Sequence, residues 1–177
     1  LKFVQSADVL YITHPDHTPR KLSRTGHTSW TLTSMNNAVL LDGPYLSVNA
    51  TATTLTPSAA TGTGVTLTAS AATGINGGTG FATTDVGRLI RIKEGSTWGY
   101  VIITAWTSTT VVTVDVINTM TNTNAKKFWR MGLYSNTTGY PACVGFYEDR
   151  LAFAGCPATP ARVDLSRTGD YENFAQT

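Results

Sequence analysis

Arg88-Leu89-Ile90-Arg91-Ile92, Trp98-Gly99-Tyr100-Val101-Ile102-Ile103 and Val111-Val112-Thr113-Val114-Asp115-Val116 follow one another with only Gly95-Ser96 and Thr107-Ser108-Thr109 between them. Short runs of β-branched and aromatic residues, separated by tight-turn residues, predict consecutive antiparallel strands. Leu89 beside Ile90 puts one apolar residue off the alternating face, and the unbroken run Tyr100 to Trp106 predicts burial on both faces in places. Upstream, Val65-Thr66-Leu67-Thr68-Ala69 alternates with period two and adds an edge strand. Four or five strands with short turns predict a small barrel or sandwich.

Working outward, composition changes on both sides of this block. Thr51 to Gly80 contains no charged residue and is dominated by Thr, Ala, Gly and Ser. The flanks carry mixed charge, aromatics and prolines. Ala7 to Thr13 is a compact apolar strand with a turn at His14-Pro15-Asp16, followed by strands at Arg20 to Arg24 and Trp30 to Thr33. Phe128-Trp129-Arg130-Met131 is a short amphipathic strand. Cys143 to Tyr147 and Arg150 to Ala154 flank the turn Glu148-Asp149 as a hairpin, and a shorter strand spans Arg162 to Leu165. Tyr171 to Phe174 is expected to form one helical turn. The expected organisation is three segments of an all-β chain. Residues 1–49 and 125–177 form propeller-like meandering strands, and they flank an inserted small β-barrel or sandwich at 50–124.

Composition excludes several classes. Only 14% of the 177 residues are charged, against about a quarter in a typical soluble domain, and Gly and Pro number 16 and 7. That balance opposes a helical bundle. A formal charge of +2 is too small and scattered for a protein held to nucleic acid mainly by electrostatics. No apolar run approaches the ~18 residues that span a bilayer, so no membrane insertion is expected. Leu1-Lys2-Phe3 leads into no apolar signal segment. With Phe3-Val4 already strand-like, the chain reads as a piece of a longer polypeptide. Cys143 and Cys156 make no disulfide framework. They could lie close across a hairpin, although a protein assembled inside a cell keeps them reduced.

Candidate chemistry is sparse. His14, Asp16 and His17 form the most metal-like cluster, but Pro15 splays them and the remaining histidine is His27, so a hydrogen-bonded turn is expected and no metal. No Gly-x-Ser-x-Gly elbow accompanies the histidines. Glu148, Asp149, Asp164, Asp170 and Glu172 could supply a glycosidase pair, yet adjacent Glu148 and Asp149 read better as a solvated hairpin turn. Gly62-Thr63-Gly64 and Gly77-Gly78-Thr79-Gly80 lack the Lys-Ser/Thr ending and helix of a phosphate loop. Lys126-Lys127-Phe128-Trp129-Arg130 mixes cations with aromatics, as single-strand binders do, without a wider basic field. Trp98, Tyr100 and Trp106 are evenly spaced, so an undistorted strand would point all three the same way. Such a row either stacks on sugar rings, as in a carbohydrate-binding or adhesin-type module, or fills the barrel's own core. No cofactor and no catalytic residue is expected.

The flanks resemble a known family. Phe3 to Tyr11, His14-Pro15, Pro19 to Arg24, Gly139-Tyr140-Pro141, Phe146 to Gly155 and Ser166 to Phe174 are similar, in the same order, to the tail tubular protein B or nozzle proteins of short-tailed bacteriophages and related prophages. The resemblance implies a β-propeller platform and a non-catalytic virion role at the tail, assembled in the bacterial cytoplasm. The implied partners are further copies in a ring around the DNA-ejection channel, neighbouring adaptor or tail-tube proteins, fibres or spikes, and phage DNA in transit. Phe81, Asp85 to Arg91 and Trp98-Gly99-Tyr100 resemble the small β-barrel insertions of phage virion proteins, a likeness of fold alone. Within the flanking motifs, Arg150 is expected to aim its planar fork at a carboxylate or at backbone carbonyls of an adjoining blade. Asp170 is expected to tie a turn through its own backbone amides. Tyr171 and Phe174 should share a face and plug a sheet edge.

Overall fold

A computed structural model describes residues 1–35 and 42–175. Its strands are β1 (Lys2–Ser6), β2 (Val9–His14), β3 (His17–Arg24), β4 (Trp30–Ser34), β5 (Leu55–Pro57), β6 (Val65–Ala69), β7 (Leu89–Glu94), β8 (Thr97–Ser108), β9 (Val111–Asn118), β10 (Trp129–Met131), β11 (Cys143–Tyr147), β12 (Arg150–Cys156) and β13 (Thr159–Leu165). All pairings between them are antiparallel. The chain divides into two compact units, Leu1–Pro44 with Tyr134–Thr177, and Tyr45–Leu133.

The discontinuous unit holds two meanders, β1-β2-β3-β4 and β11-β12-β13. Its hairpins are set by turn chemistry. At Glu148-Asp149 both residues are left-handed (φ 45° and 55°), the arrangement whose twist matches a two-residue β-hairpin. Left-handed backbone is uncommon for Glu. The turn is tied from outside, where the Asp149 carbonyl accepts Gly169 N–H at 2.8 Å and its carboxylate accepts the Tyr171 hydroxyl at 2.6 Å. Leu151 and Phe153 alternate inward along β12 and are fully buried.

The continuous unit is a single six-stranded sheet, ordered β10-β7-β8-β9-β6-β5, curled into a half-barrel. Alternation explains its core. Val65, Leu67 and Ala69 face inward while Thr66 and Thr68 face out, and Ile90, Ile92, Val112 and Val114 continue the apolar layer. Each Val, Leu or Ile of this layer contributes roughly 1.5–3 kcal/mol by leaving water, and Ala69 less. Val101, Ile102 and Ile103 are all buried, as the unbroken apolar run predicts. One reciprocal pair of hydrogen bonds, 2.8 and 2.9 Å, joins Leu55 of β5 to Lys126, just ahead of β10.

Three differences from the sequence reading have physical causes. β5 lies in the Thr/Ala-rich stretch, where three residues give no visible period. Trp129-Arg130-Met131, grouped by composition with the third segment, pairs with β7, because Trp129 and Met131 complete the apolar layer of that sheet. No helical turn forms at Tyr171 to Phe174. Asn173 instead bridges Asp42, Asp170 bridges Arg167, and the two aromatic rings go to different places.

Candidate functional site

The evenly spaced aromatics of β8 do not form a row. Pairing shifts between Ile103 and Ala105, where Thr104 is an extra residue opposite β9. A bulge of this kind reverses the phase of everything after it. Ile103 pairs with inward Val114, and beyond the bulge Trp106 pairs with inward Val112. Trp106 therefore turns to the inner side of the sheet, where its indole N–H donates to the Phe81 carbonyl at 2.8 Å, with 40% of the residue exposed. Trp98 and Tyr100 stay on the outer face, half-buried.

The outer face carries charge. Register sets Arg130 of β10 opposite Arg91 of β7, Arg91 opposite Tyr100, and Lys93 opposite Trp98. The Arg91 and Arg130 guanidinium carbons lie 5.2 and 5.3 Å from the Trp98 ring centre, and the Lys93 ammonium lies 5.8 Å from it. Arg91 also stands 5.7 Å from the Tyr45 ring centre. Each cation over an aromatic ring gains about 0.5–2 kcal/mol, which holds three like charges around one indole.

The inner side holds two buried ion pairs that spacing did not reveal. Asp85 and Arg88, both fully buried, pair at 2.9 Å. Asn76 binds both, donating to Asp85 at 2.6 Å and accepting from Arg88 at 2.7 Å, while Arg88 Nε donates to the Gly132 carbonyl at 2.6 Å. The loop feeding this node needs Gly80, whose φ is +82° and where a Cβ would meet the Thr109 carbonyl oxygen at 2.3 Å. The glycine cluster is thus a tight turn that positions Asn76 rather than a phosphate cradle. The available signal was a lone carboxylate followed three residues later by Arg, after 42 uncharged positions, 43–84.

The second pair is Glu94 with Lys126, at 2.7 Å. Glu94 occupies an inward position of β7 and also accepts from the Thr121 N–H and hydroxyl. Burial pushes its carboxyl up, but the donors from Lys126 and Thr121 outweigh that and hold it below the usual carboxylate range. A depressed native pKa contributes stability that is complete above the unfolded value of about 4.3 and is lost as pH falls through the native one. Glu94→Gln is accordingly expected to cost about 1.5–3 kcal/mol at pH 7. The gap from wild type should narrow well below pH 4, read from denaturant midpoints at the two pH values. A gap that widens in acid would reverse this assignment.

In the discontinuous unit the motif residues serve packing. Arg150 Nη1 reaches the Ser166 carbonyl at 3.4 Å, in its own sheet's following loop and not in an adjoining meander. The turn at Asp170 is tied by main chain, with Asp170 N–H donating to the Arg167 carbonyl at 3.2 Å. Tyr171 and Phe174 do not share a face. Tyr171 meets Phe146 and Tyr11 at 4.9 and 6.2 Å between ring centres, whereas Phe174 stacks on Phe153 at 5.2 Å. Burial, with Glu172 and Tyr171 nearby, pushes the Tyr11 hydroxyl up to about 12. Glu172 pairs with Lys21. Asp164 is gripped by the fork of Arg162 at 2.6 and 2.8 Å, and burial still raises its carboxyl. A concave depression of about 810 Å³ beside β13 is lined by Arg150, Arg162, Asp164, Arg167 and Phe174.

The remaining candidates separate. His14 and His17 face each other across the hairpin at 5.1 Å between rings, Asp16 N–H donates to His14 Nδ1, and His27 lies against Arg24 instead. Among the described residues, no group of three His, Cys, Asp or Glu is arranged to hold a metal ion, and no helix is long and apolar enough to cross a membrane. Cys143 and Cys156 are free thiols, because β11 and β12 pair Cys143 with Ala154 and leave Cys156 out of register. Comparison with protein-family models gives no match, and comparison with curated proteins gives none either.

Proposed function

We propose that the chain is a non-catalytic structural part of a short-tailed phage or prophage tail, of the nozzle type. The observation that carries this reading is convergence. Stretches that resemble nozzle proteins are separated by up to about 160 positions, yet their side chains meet in one cluster. Tyr11 touches Phe146 and Tyr171, Tyr171 donates to Asp149, and Lys21 pairs with Glu172. Motifs that pack on one another are what a shared scaffold requires, whereas convergent reactive groups are what an enzyme requires.

On this reading β1-β2-β3-β4 and β11-β12-β13 are blades of a propeller platform, and the six-stranded sheet is an inserted barrel closed at Leu55 and Lys126. Copies of the platform pack side by side in a ring around the ejection channel. Rigid sheet surfaces suit such a heterologous, closing contact. The insertion meets neighbouring tail proteins, fibres or spikes, and DNA passes without sequence-specific contact. Immunogold electron microscopy of an induced lysate, with antibody raised against residues 1–177, tests it. Label at the tip of short tails is the expected result. Bare particles, with label on bacterial surfaces or in the soluble fraction, would sink the proposal.

A further inference from the structure

We infer that the open edge of β13 is a twofold contact with a second copy of this chain, made by antiparallel pairing of β13 with itself about Val163. β13 ends its three-stranded sheet, and among the described residues no strand pairs with its other edge. Ser166 N–H donates to the Leu151 carbonyl at 2.8 Å, so the main-chain groups of Ser166 and Asp164 point to β12. Alternation then sends the N–H and C=O of Val163 and Leu165 outward. Their side chains are 60% and 41% exposed, which sets apolar surface beside open main chain, the combination that recruits another strand. The depression of about 810 Å³ is lined by Arg162, Val163, Asp164 and Leu165 in succession. Consecutive strand residues point to opposite faces, so a space that touches all four runs along the edge, where a strand would be received.

Charge selects the occupant and its register. An edge that pairs with its own copy does so about a twofold axis, and each choice of centre sets different side chains opposite one another. Centred on Arg162 or on Asp164, the pairing would oppose Arg to Arg or Asp to Asp, which repel. Centred on Leu165, it would run on to Arg167, whose N–H is already given to the Asn173 carbonyl at 2.7 Å. Centred on Val163, Arg162 of each copy stands opposite Asp164 of the other, twice, and Leu165 faces Ala161. Val163 and its copy then exchange two main-chain hydrogen bonds. The Arg–Asp positions become the closer, non-hydrogen-bonded pairs, where side chains approach best.

Arg162 can serve both carboxylates. Its Nε and Nη2 hold Oδ1 of its own Asp164 at 2.8 and 2.6 Å, and among the described residues Nη1 has no acceptor. A planar guanidinium fork with one nitrogen left over suits a second carboxylate. A strand of unrelated sequence would meet the Arg162-Asp164 pair without matching charges, and inward-pointing charges of that kind deter indiscriminate pairing. The contact is isologous, so it differs from the ring contact of the tail reading and does not rest on it.

The test is sedimentation velocity of the 177-residue chain over a concentration series. Reversible dimerisation is expected. Val163→Lys should weaken it by about tenfold, since it sets two ammonium groups directly opposite each other across the axis. Val163→Pro should abolish it by removing the outward N–H, yet keep the wild-type denaturant midpoint, because that N–H serves no bond within its own sheet. Leu32→Lys, at an exposed position on β4, the end strand of the other meander, should leave association unchanged. If Val163→Pro fails to fold, Val163→Lys decides alone, as it alters only an exposed side chain. A chain that stays monomeric up to about 1 mM overturns the inference and leaves the edge to a strand of another protein. A dimer indifferent to the Val163 substitutions overturns it too, as does one broken by Leu32→Lys alone, which moves the contact to β4.

Discussion

Asp85→Ala should lower the stability of the protein by about 3–5 kcal/mol, because it leaves the Arg88 guanidinium buried without its counter-charge. Both side chains are wholly inaccessible, so bulk solvent does not reach the guanidinium to replace the lost carboxylate. The loss also strips two other donors of their acceptor, since Asp85 receives the Ala82 N–H at 2.9 Å and the Asn76 amide at 2.6 Å. The measurement is guanidinium unfolding followed by circular dichroism. Arg88→Met alone should be similarly damaging. The double variant Asp85→Ala/Arg88→Met should lose clearly less than the two single losses combined, as contacting residues in one network do. A cost below ~1 kcal/mol for Asp85→Ala would mean that the pair is hydrated and adds little to the fold.

Phe153→Ala is the counterpart in the other unit, with an expected cost of about 3–5 kcal/mol. The ring is fully buried, stacked 10° from parallel on Phe174 and edge-on to Tyr134 at 6.0 Å. Truncation would leave a ring-sized void whose walls are themselves aromatic and cannot collapse inward without breaking rotamers. Phe153→Leu, which refills most of the volume, should recover much of the loss. Denaturant midpoints of the two variants give the comparison, and equal midpoints would show that the void closes by relaxation.

Most strands were legible because their signal is local. Val65 to Ala69 and Cys143 to Tyr147 have the predicted ends, since period-two alternation and a two-residue turn are written within a few positions. β5 was not legible, because Leu55-Thr56-Pro57 is too short to show a period and is fixed by pairing with β6. The Thr104 bulge left no mark in a run of Thr and Ala, and the aromatic row was misread on its account. The cationic face was invisible for another reason. Arg130 lies 37 positions after Lys93, and only the β10-β7 register brings them to one ring. Glu94 and Lys126 escaped similarly, although an acidic residue at an inward position of β7 was a signal that some cation must reach it. At the C-terminal motif, spacing of three suggested a helical face. Tyr171 and Glu172 instead lie in a single turn closed by Asn173 N–H on the Asp170 carbonyl at 3.3 Å, and the bridge of Asn173 to Asp42 ends it before Phe174, which sends the two rings apart.

The continuous unit begins and ends on one bridge, Tyr45 opposite Gly132, with Leu46 N–H donating to the Met131 carbonyl at 2.8 Å. Partners in an antiparallel bridge have Cα atoms only about 5 Å apart, comparable to the span of a short hairpin. A module whose two ends meet can be removed from a gene, or exchanged for another of any size, and replaced by a few turn residues without stretching the strands on either side. The half-barrel is in that sense a cassette. Replacing residues 45–133 by a short turn should therefore leave the discontinuous unit's own strand pairings in place.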